Sequence, residues 1–99
     1  MAGPIRLRVL TETGIALEDD TVSVIAPGEL GYLGILKNHA PLITTLAPGK
    51  LTWRSSEGRI RTARLGTGLL EVLRNTVTIL ADSFSAGPIE AVSSPAASA

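Results

Sequence analysis

The chain has 99 residues, no cysteine, and nine basic against nine acidic side chains, so it carries no net charge at neutral pH. That length supports one domain with one modest core, and the missing cysteines exclude a disulfide framework or a thiolate metal site and point to a reducing compartment. Zero net charge and only three aromatics, Tyr32, Trp53 and Phe84, argue against nucleic acid, an anionic membrane or sugar stacking, which leaves another protein as the expected partner.

The first ten residues, MAGPIRLRVL, place Ile5, Leu7 and Val9 on one face and Arg6 and Arg8 on the other. This period of two predicts a half-buried strand, and the arginines break any hydrophobic leader pattern. No apolar run reaches the eighteen or so residues a spanning helix needs, so the expectation is a soluble chain that meets a membrane only through a complex. Thr13-Gly14 and Glu18-Asp19-Asp20 read as turns. A second alternation follows, with Val22, Val24 and Ala26 expected inside and Thr21 and Ser23 outside.

From Gly28 to Gly49 the only full charges are Glu29 and Lys37. A small domain seldom leaves so much uncharged sequence uncovered, so this segment is expected to be part core and part contact surface. Leu51 and Trp53 against Thr52 and Arg54 predict the next strand, and Glu57-Gly58 a turn. Leu69 to Leu73, in which only Glu71 is polar, and Val77, Ile79 and Ala81 against Thr76, Thr78 and Asp82 predict a closing hairpin whose first strand is covered on both faces. After Asp82 the chain turns to Ala, Ser and Pro. The expected division is therefore a sandwich domain over 1–86 and a flexible tail over 87–99. Short strands at this spacing give an all-β sandwich or barrel.

Chemistry is sparsely signposted. His39 is the only histidine and lacks an orienting acid or nucleophile nearby, so it reads as a turn or interface residue. Glu18, Asp19 and Asp20 lack the spacing of a calcium loop. Gly28, Gly31 and Gly34 are not followed by a helix that could cradle phosphate, and Gly66 and Gly68 suit a bulge or close backbone approach. Arg54, Arg59, Arg61 and Arg64 form one basic cluster around a turn, without interleaved aromatics. No catalytic residue, metal site or cofactor is expected.

The segments GELGYLGILKNHAPLITTLAPGKL and LGTGLLEVLRNTVTILAD, with an opening stretch at Leu7–Gly14, together resemble the N-terminal domain of the epsilon subunit of F-type ATP synthases. The likeness runs from about Ile5 to Asp82 and rests on Gly-x-x-Gly-Ile, His-Ala-Pro-Leu, Pro-Gly, Gly-x-Leu-Glu-Val and Val-Thr-Ile-Leu-Ala-Asp in that order. The resemblance implies a flattened sandwich of two antiparallel sheets, about ten strands in all, with a short irregular tail. It implies a non-catalytic rotor, or central-stalk, subunit on the cytoplasmic face. Such a subunit binds the gamma subunit and the c-ring, reaches the catalytic head through gamma, and couples proton or sodium flow to ATP synthesis. Carried over by position, Glu29, Leu30, Gly31, Tyr32 and Leu33 would face the c-ring, and His39, Ala40, Leu42 and Thr44 would face gamma. A rotor subunit must be a body that does not open locally, which a sandwich provides.

Two departures stand out. Lys37 and Asn38 occupy positions where the family commonly has Pro-Gly, so the turn is expected to differ and Lys37 to add a charge contact. Fifteen residues follow Phe84, roughly 20 Å as helix, so a short form without the family's C-terminal helical hairpin is expected. Two alternatives remain: a tail-dependent regulator of ATP hydrolysis in the same complex, or an unrelated β-sandwich binding module or small hydrolase.

Overall fold

Alternating side chains make residues 5–11 a strand, β1 (Ile5–Thr11), which a turn at Glu12-Thr13 folds back onto β2 (Gly14–Gly28). The computed structural model describes residues 3–87, and nearly all of them fall into nine strands or the short turns between them. The remaining strands are β3 (Gly31–Leu36), β4 (Leu42–Leu46), β5 (Gly49–Ser55), β6 (Ile60–Leu65), β7 (Gly68–Leu73), β8 (Thr76–Ala81) and β9 (Phe84–Ala86). The expectation of a flexible tail lies, beyond Gly87, outside the described residues.

At 15 residues β2 would be about 50 Å long if straight. The fold measures 35 Å at most, so β2 must bend, and in bending it serves two layers. Its first half pairs with β1, and β8, β7 and β4 follow to complete sheet I. Its second half pairs with β3 on one side and β5 on the other, and β6 and β9 complete sheet II. Nine strands thus fill ten sheet positions, as the all-β sandwich reading required. One pair departs from the antiparallel rule: β1 and β8 run parallel, because the N-terminal strand is inserted beside a strand that the β7–β8 hairpin delivers in the same direction.

Between the layers lie Ile5, Leu7 and Val9 of β1, Leu70 and Val72 of β7, and Val77 and Ile79 of β8, facing Val24, Leu51, Trp53 and Leu65 from sheet II. The buried polar groups are satisfied. Thr21 Oγ1 donates to the Ile5 carbonyl at 3.1 Å and Ser55 Oγ accepts from the Arg59 amide at 3.1 Å, so neither carries the cost of an unpaired buried group.

Three sequence expectations give way here. Val22 is 45 % exposed while Thr21 is fully buried, the reverse of the alternation read from the sequence. The cause is a bulge between Thr21 and Ser23 that shifts the β2–β5 register and moves the buried set from odd to even positions. Glu18, Asp19 and Asp20 form no turn but lie mid-strand in β2. They stay there because Arg6 and Arg8 across the ladder pair with Asp20 and Glu18, both at 2.9 Å, and the Trp53 indole donates to Asp19 at 2.9 Å. Strand β7 is covered on its inner face only, with Leu69 and Leu73 more than two-fifths exposed outside.

Candidate functional site

The sparsely charged central segment folds into two adjoining structures, the β2–β3 hairpin tip and the β3–β4 turn. Gly28 pairs with Gly31 to close the tip around Glu29 and Leu30. Gly31 has φ of 134°, which an L side chain rarely tolerates, so glycine is required there. The Glu29 amide donates to the Thr45 carbonyl at 3.1 Å, and the Thr45 hydroxyl donates to the Glu29 carboxylate. These bonds tie the tip to β4 and leave Leu30 wholly in solvent. Tyr32 is exposed, but its hydroxyl accepts from the Lys50 amide at 3.1 Å and lies beside Gly49. Leu33 alone of this group turns inward, against the core. The five residues expected at one surface therefore divide into four outward and one supporting.

At the β3–β4 turn Asn38 adopts φ of 66°. Asparagine, like glycine, visits the left-handed region, which is the conformation this turn takes at position 38. Its amide donates to Asn75 Oδ1 at 2.7 Å, and Asn75 Nδ2 returns a bond to Asn38 Oδ1 at 3.3 Å. Asn75 itself sits in the β7–β8 turn at φ of 62°, so two distant turns are clasped. Next to the clasp His39 is half-buried, its amide bonded to the Leu36 carbonyl at 3.1 Å and its Nδ1 2.6 Å from the Ala40 carbonyl oxygen. Ala40 is exposed, whereas Leu42 and Thr44 are half-buried at the inward positions of β4. The side chain that β4 presents outward between them is Ile43, two-thirds exposed.

Beyond the residues expected from the sequence, the outer face of sheet I carries an apolar row. Pairing sets Ile15 of β2 beside Leu10 of β1, Leu10 beside Leu80 of β8, and Leu80 beside Leu69 of β7. Four strands at ~4.8 Å spacing make a row about 14 Å long. Thr45, tied to Glu29, ends it on β4. Ile43 and Leu73 stand exposed in the neighbouring rows of the same face. A signal for this row existed: Leu10, Leu69 and Leu80 take outward positions where Arg, Thr or Glu otherwise stand.

Electrostatics around the site are quiet. Arg6 bridges Glu18 at 3.3 Å and Asp20 at 2.9 Å, and the Asp20 hydrogen bond is the main cause of its raised pKa, so it stays charged at any physiological pH. An open polar cleft of about 380 Å³ runs beside this network between Arg6, Asp19, Ser55 and Arg61. Of its four carboxylates, Glu18, Asp19 and Asp20 are committed to Arg6, Arg8 and Trp53, Glu57 is the fourth, and no histidine lines it. Among the described residues no three His, Cys, Asp or Glu side chains converge as metal ligands, and no helix is long and apolar enough to cross a membrane.

Comparison with known proteins agrees in sequence and in shape. The family described as "ATP synthase, Delta/Epsilon chain, beta-sandwich domain" matches residues 4–87. The chain is 39% identical over 83 residues to the ATP synthase epsilon chain of Desulfatibacillum aliphaticivorans, spanning 84% of this chain and 59% of that one. It is 44% identical over 80 residues to the one from Chloroflexus aurantiacus (strain J-10-fl), spanning 81% and 57%. The chain thus spans less than two-thirds of these relatives' length. In solved structures the fold is similar to a chain of the Euglena gracilis mitochondrial ATP synthase OSCP/F1/c-ring assembly, with a TM-score of 0.79 at 20% identity over 87% of this chain and 54% of that one. It is also similar to a chain of the Tetrahymena thermophila mitochondrial ATP synthase central stalk/c-ring, with a TM-score of 0.67 at 19% identity over 80% and 63%.

Proposed function

The chain belongs to the ATP synthase delta/epsilon-chain β-sandwich family, and on that premise we propose that it is a non-catalytic central-stalk subunit that joins gamma to the c-ring and so couples proton or sodium flow to ATP synthesis. Its membrane contact, on the cytoplasmic side, is through the complex. The observation that carries this reading is the apolar row Ile15–Leu10–Leu80–Leu69, held on the outer face of a sheet whose inner face is fully packed. Solvated leucines in register across four strands cost free energy in an isolated chain and gain it when covered.

In this reading sheet I, with Ile43 and the turn bearing His39 and Ala40, faces gamma. Leu42 and Thr44 support that surface from behind while keeping a share of the contact. The tip Glu29–Tyr32 reaches the c-ring loops, braced by Leu33 inside and by Thr45. The bracing has a mechanical consequence. A tip bonded to β4 transmits a lateral push into both sheets instead of bending at its own hinge.

The test is calorimetry of this chain with purified gamma subunit at micromolar concentration, where a standard interface of about 1,600 Å² is measurable. Leu80→Glu, which puts a charge into the row without touching the core, is expected to abolish the heat. Absence of binding by the unaltered chain, or full binding by Leu80→Glu, refutes the assignment.

A further inference from the structure

The one sequence cluster that the proposed rotor role does not use is the basic group on the β5–β6 hairpin, and the fold sharpens it. Between Gly49 and Leu65 the chain carries Lys50, Arg54, Arg59, Arg61 and Arg64 against Glu57 alone, so a hairpin of a neutral protein bears four net positive charges. Pairing then sorts them. Arg61 opposes Trp53 on the inward side and leans into the polar cleft, whereas Lys50, Arg54 and Arg64 all point outward from sheet II.

On that outer face Lys50 and Arg64 stand directly opposite each other across the ladder. Like charges in that position destabilise a sheet, and among the described residues no carboxylate pairs with either. The other outward residues of the described sheet II are Tyr32, Gly34, Leu36, Ser23, Ile25, Thr52, Ile60, Thr62 and Ser85, with no carboxylate among them. Among the described residues the ion pairs are those of Arg6 and Arg8, on the other layer. Arg54 spends one donor on the Gly58 carbonyl at 3.2 Å, which props its guanidinium along the strand and leaves the rest of the fork open.

We infer that the outward face of the β5–β6 hairpin is a docking surface for a carboxylate-rich segment of a partner protein, gripped by Lys50, Arg54 and Arg64. Charge complementarity fixes the sign, and spacing fixes the form. Lys50 and Arg54 are four residues apart on one strand, about 13 Å, with Arg64 beside the first. An extended acidic segment lying along the hairpin, with carboxylates on alternate residues, meets all three. Guanidinium forks suit carboxylates in this bidentate manner. Nucleic acid fits less well, because Tyr32 is the face's one aromatic ring and its hydroxyl is held by the Lys50 amide. A bilayer fits less well too, since threonines 52 and 62 lie between the cations and the exposed Ile25, Leu36 and Ile60 are spread over three different strands. The surface lies on the opposite layer from the apolar row, so it stands whether or not that row meets gamma.

The experiment uses the full chain and a fluorescently labelled Glu-rich peptide, with anisotropy read at about 20 mM and 200 mM salt, beside heparin and phosphatidylserine vesicles as competing probes. Lys50→Gln/Arg64→Gln is expected to weaken peptide binding about tenfold at low salt, while the charge-matched Lys37→Gln/Arg74→Gln stays within about twofold. The exchange Lys50→Arg/Arg64→Lys keeps both charges and is expected to retain binding, which covers the case in which the double Gln variant folds poorly. The inference is overturned if the peptide does not bind, if both charge-matched pairs lose affinity equally, or if only heparin or only vesicles depend on Lys50 and Arg64. Self-association of the chain, abolished by the same pair at low salt and without peptide binding, also overturns it.

Discussion

Replacing Asn75 separates two contributions that the structure superimposes. The side chain clasps the β3–β4 turn through bonds of 2.7 and 3.3 Å to Asn38, and the backbone sits at φ of 62°. Asn75→Gly keeps the backbone and loses the clasp. One short bond and one long one at an exposed site contribute together about 1 kcal/mol. Asn75→Ala loses the clasp and keeps a Cβ in the left-handed region without asparagine's polar side chain to favour it, a further cost of about 1 kcal/mol. The expected order is therefore wild type, then glycine about 1 kcal/mol below, then alanine about 2 below. For a domain of this size that is about 4–8 °C in Tm for each step. Urea or thermal unfolding followed by Trp53, the single tryptophan and a buried one, reads this directly. The double variant Asn38→Gly/Asn75→Gly should cost little more than Asn75→Gly alone, since the same bonds are already gone. If Asn75→Gly matches the wild type, the clasp carries no load; if alanine matches glycine, the backbone argument fails. Gamma affinity should fall with the clasp, because His39 follows directly on Asn38.

Three other outcomes are expected. Leu70→Ala, in the fully buried half of β7, should cost about 3 kcal/mol in urea melts, whereas Leu69→Ala one residue earlier should cost under about 0.5 and instead weaken gamma binding; similar costs at both would contradict the inward–outward assignment. At Gly68 a Cβ would press on the Leu80 carbonyl and the Ala81 backbone, while at Gly66 it would press on the Asp82 and Ser83 side chains, which can swing away. Gly68→Ala should therefore destabilise by at least about 1–3 kcal/mol, and Gly66→Ala by clearly less, as Tm comparison will show. Lys50→Gln should raise Tm by a few degrees, since removing one of two opposed like charges returns about 0.2–1 kcal/mol; a fall would show that Lys50 is structurally satisfied.

Much of the sandwich was legible because alternation and turn chemistry are local. Ile5, Leu7 and Val9, Leu51 and Trp53, and Val77, Ile79 and Ala81 are buried as their period of two requires. Thr13-Gly14 and Glu57-Gly58 mark real reversals between strands. The misreadings share a cause. Glu18–Asp20 reads as a turn until Arg6, Arg8 and Trp53 are placed against it. Thr21 and Val22 exchange faces because one bulge residue shifts the register, and a bulge is specified by pairing with another strand. At the candidate site the tip Glu29–Tyr32 is exposed and the turn at His39 and Ala40 reaches the surface, but Leu42 and Thr44 sit inward and Ile43 outward, since the family motif names a stretch and not a face.

Side-chain period, turn residues and family motifs are properties of neighbours in the chain, and by themselves they determined an all-β sandwich with a sparsely charged centre. Which outward residues become neighbours was decided only in three dimensions. Leu10 meets Leu80 across a parallel pair separated by most of the chain, and Lys50 meets Arg64 because the Glu57-Gly58 turn sets their register. Surface chemistry on a sheet is written across strands, perpendicular to the sequence, and lateral register is a tertiary quantity.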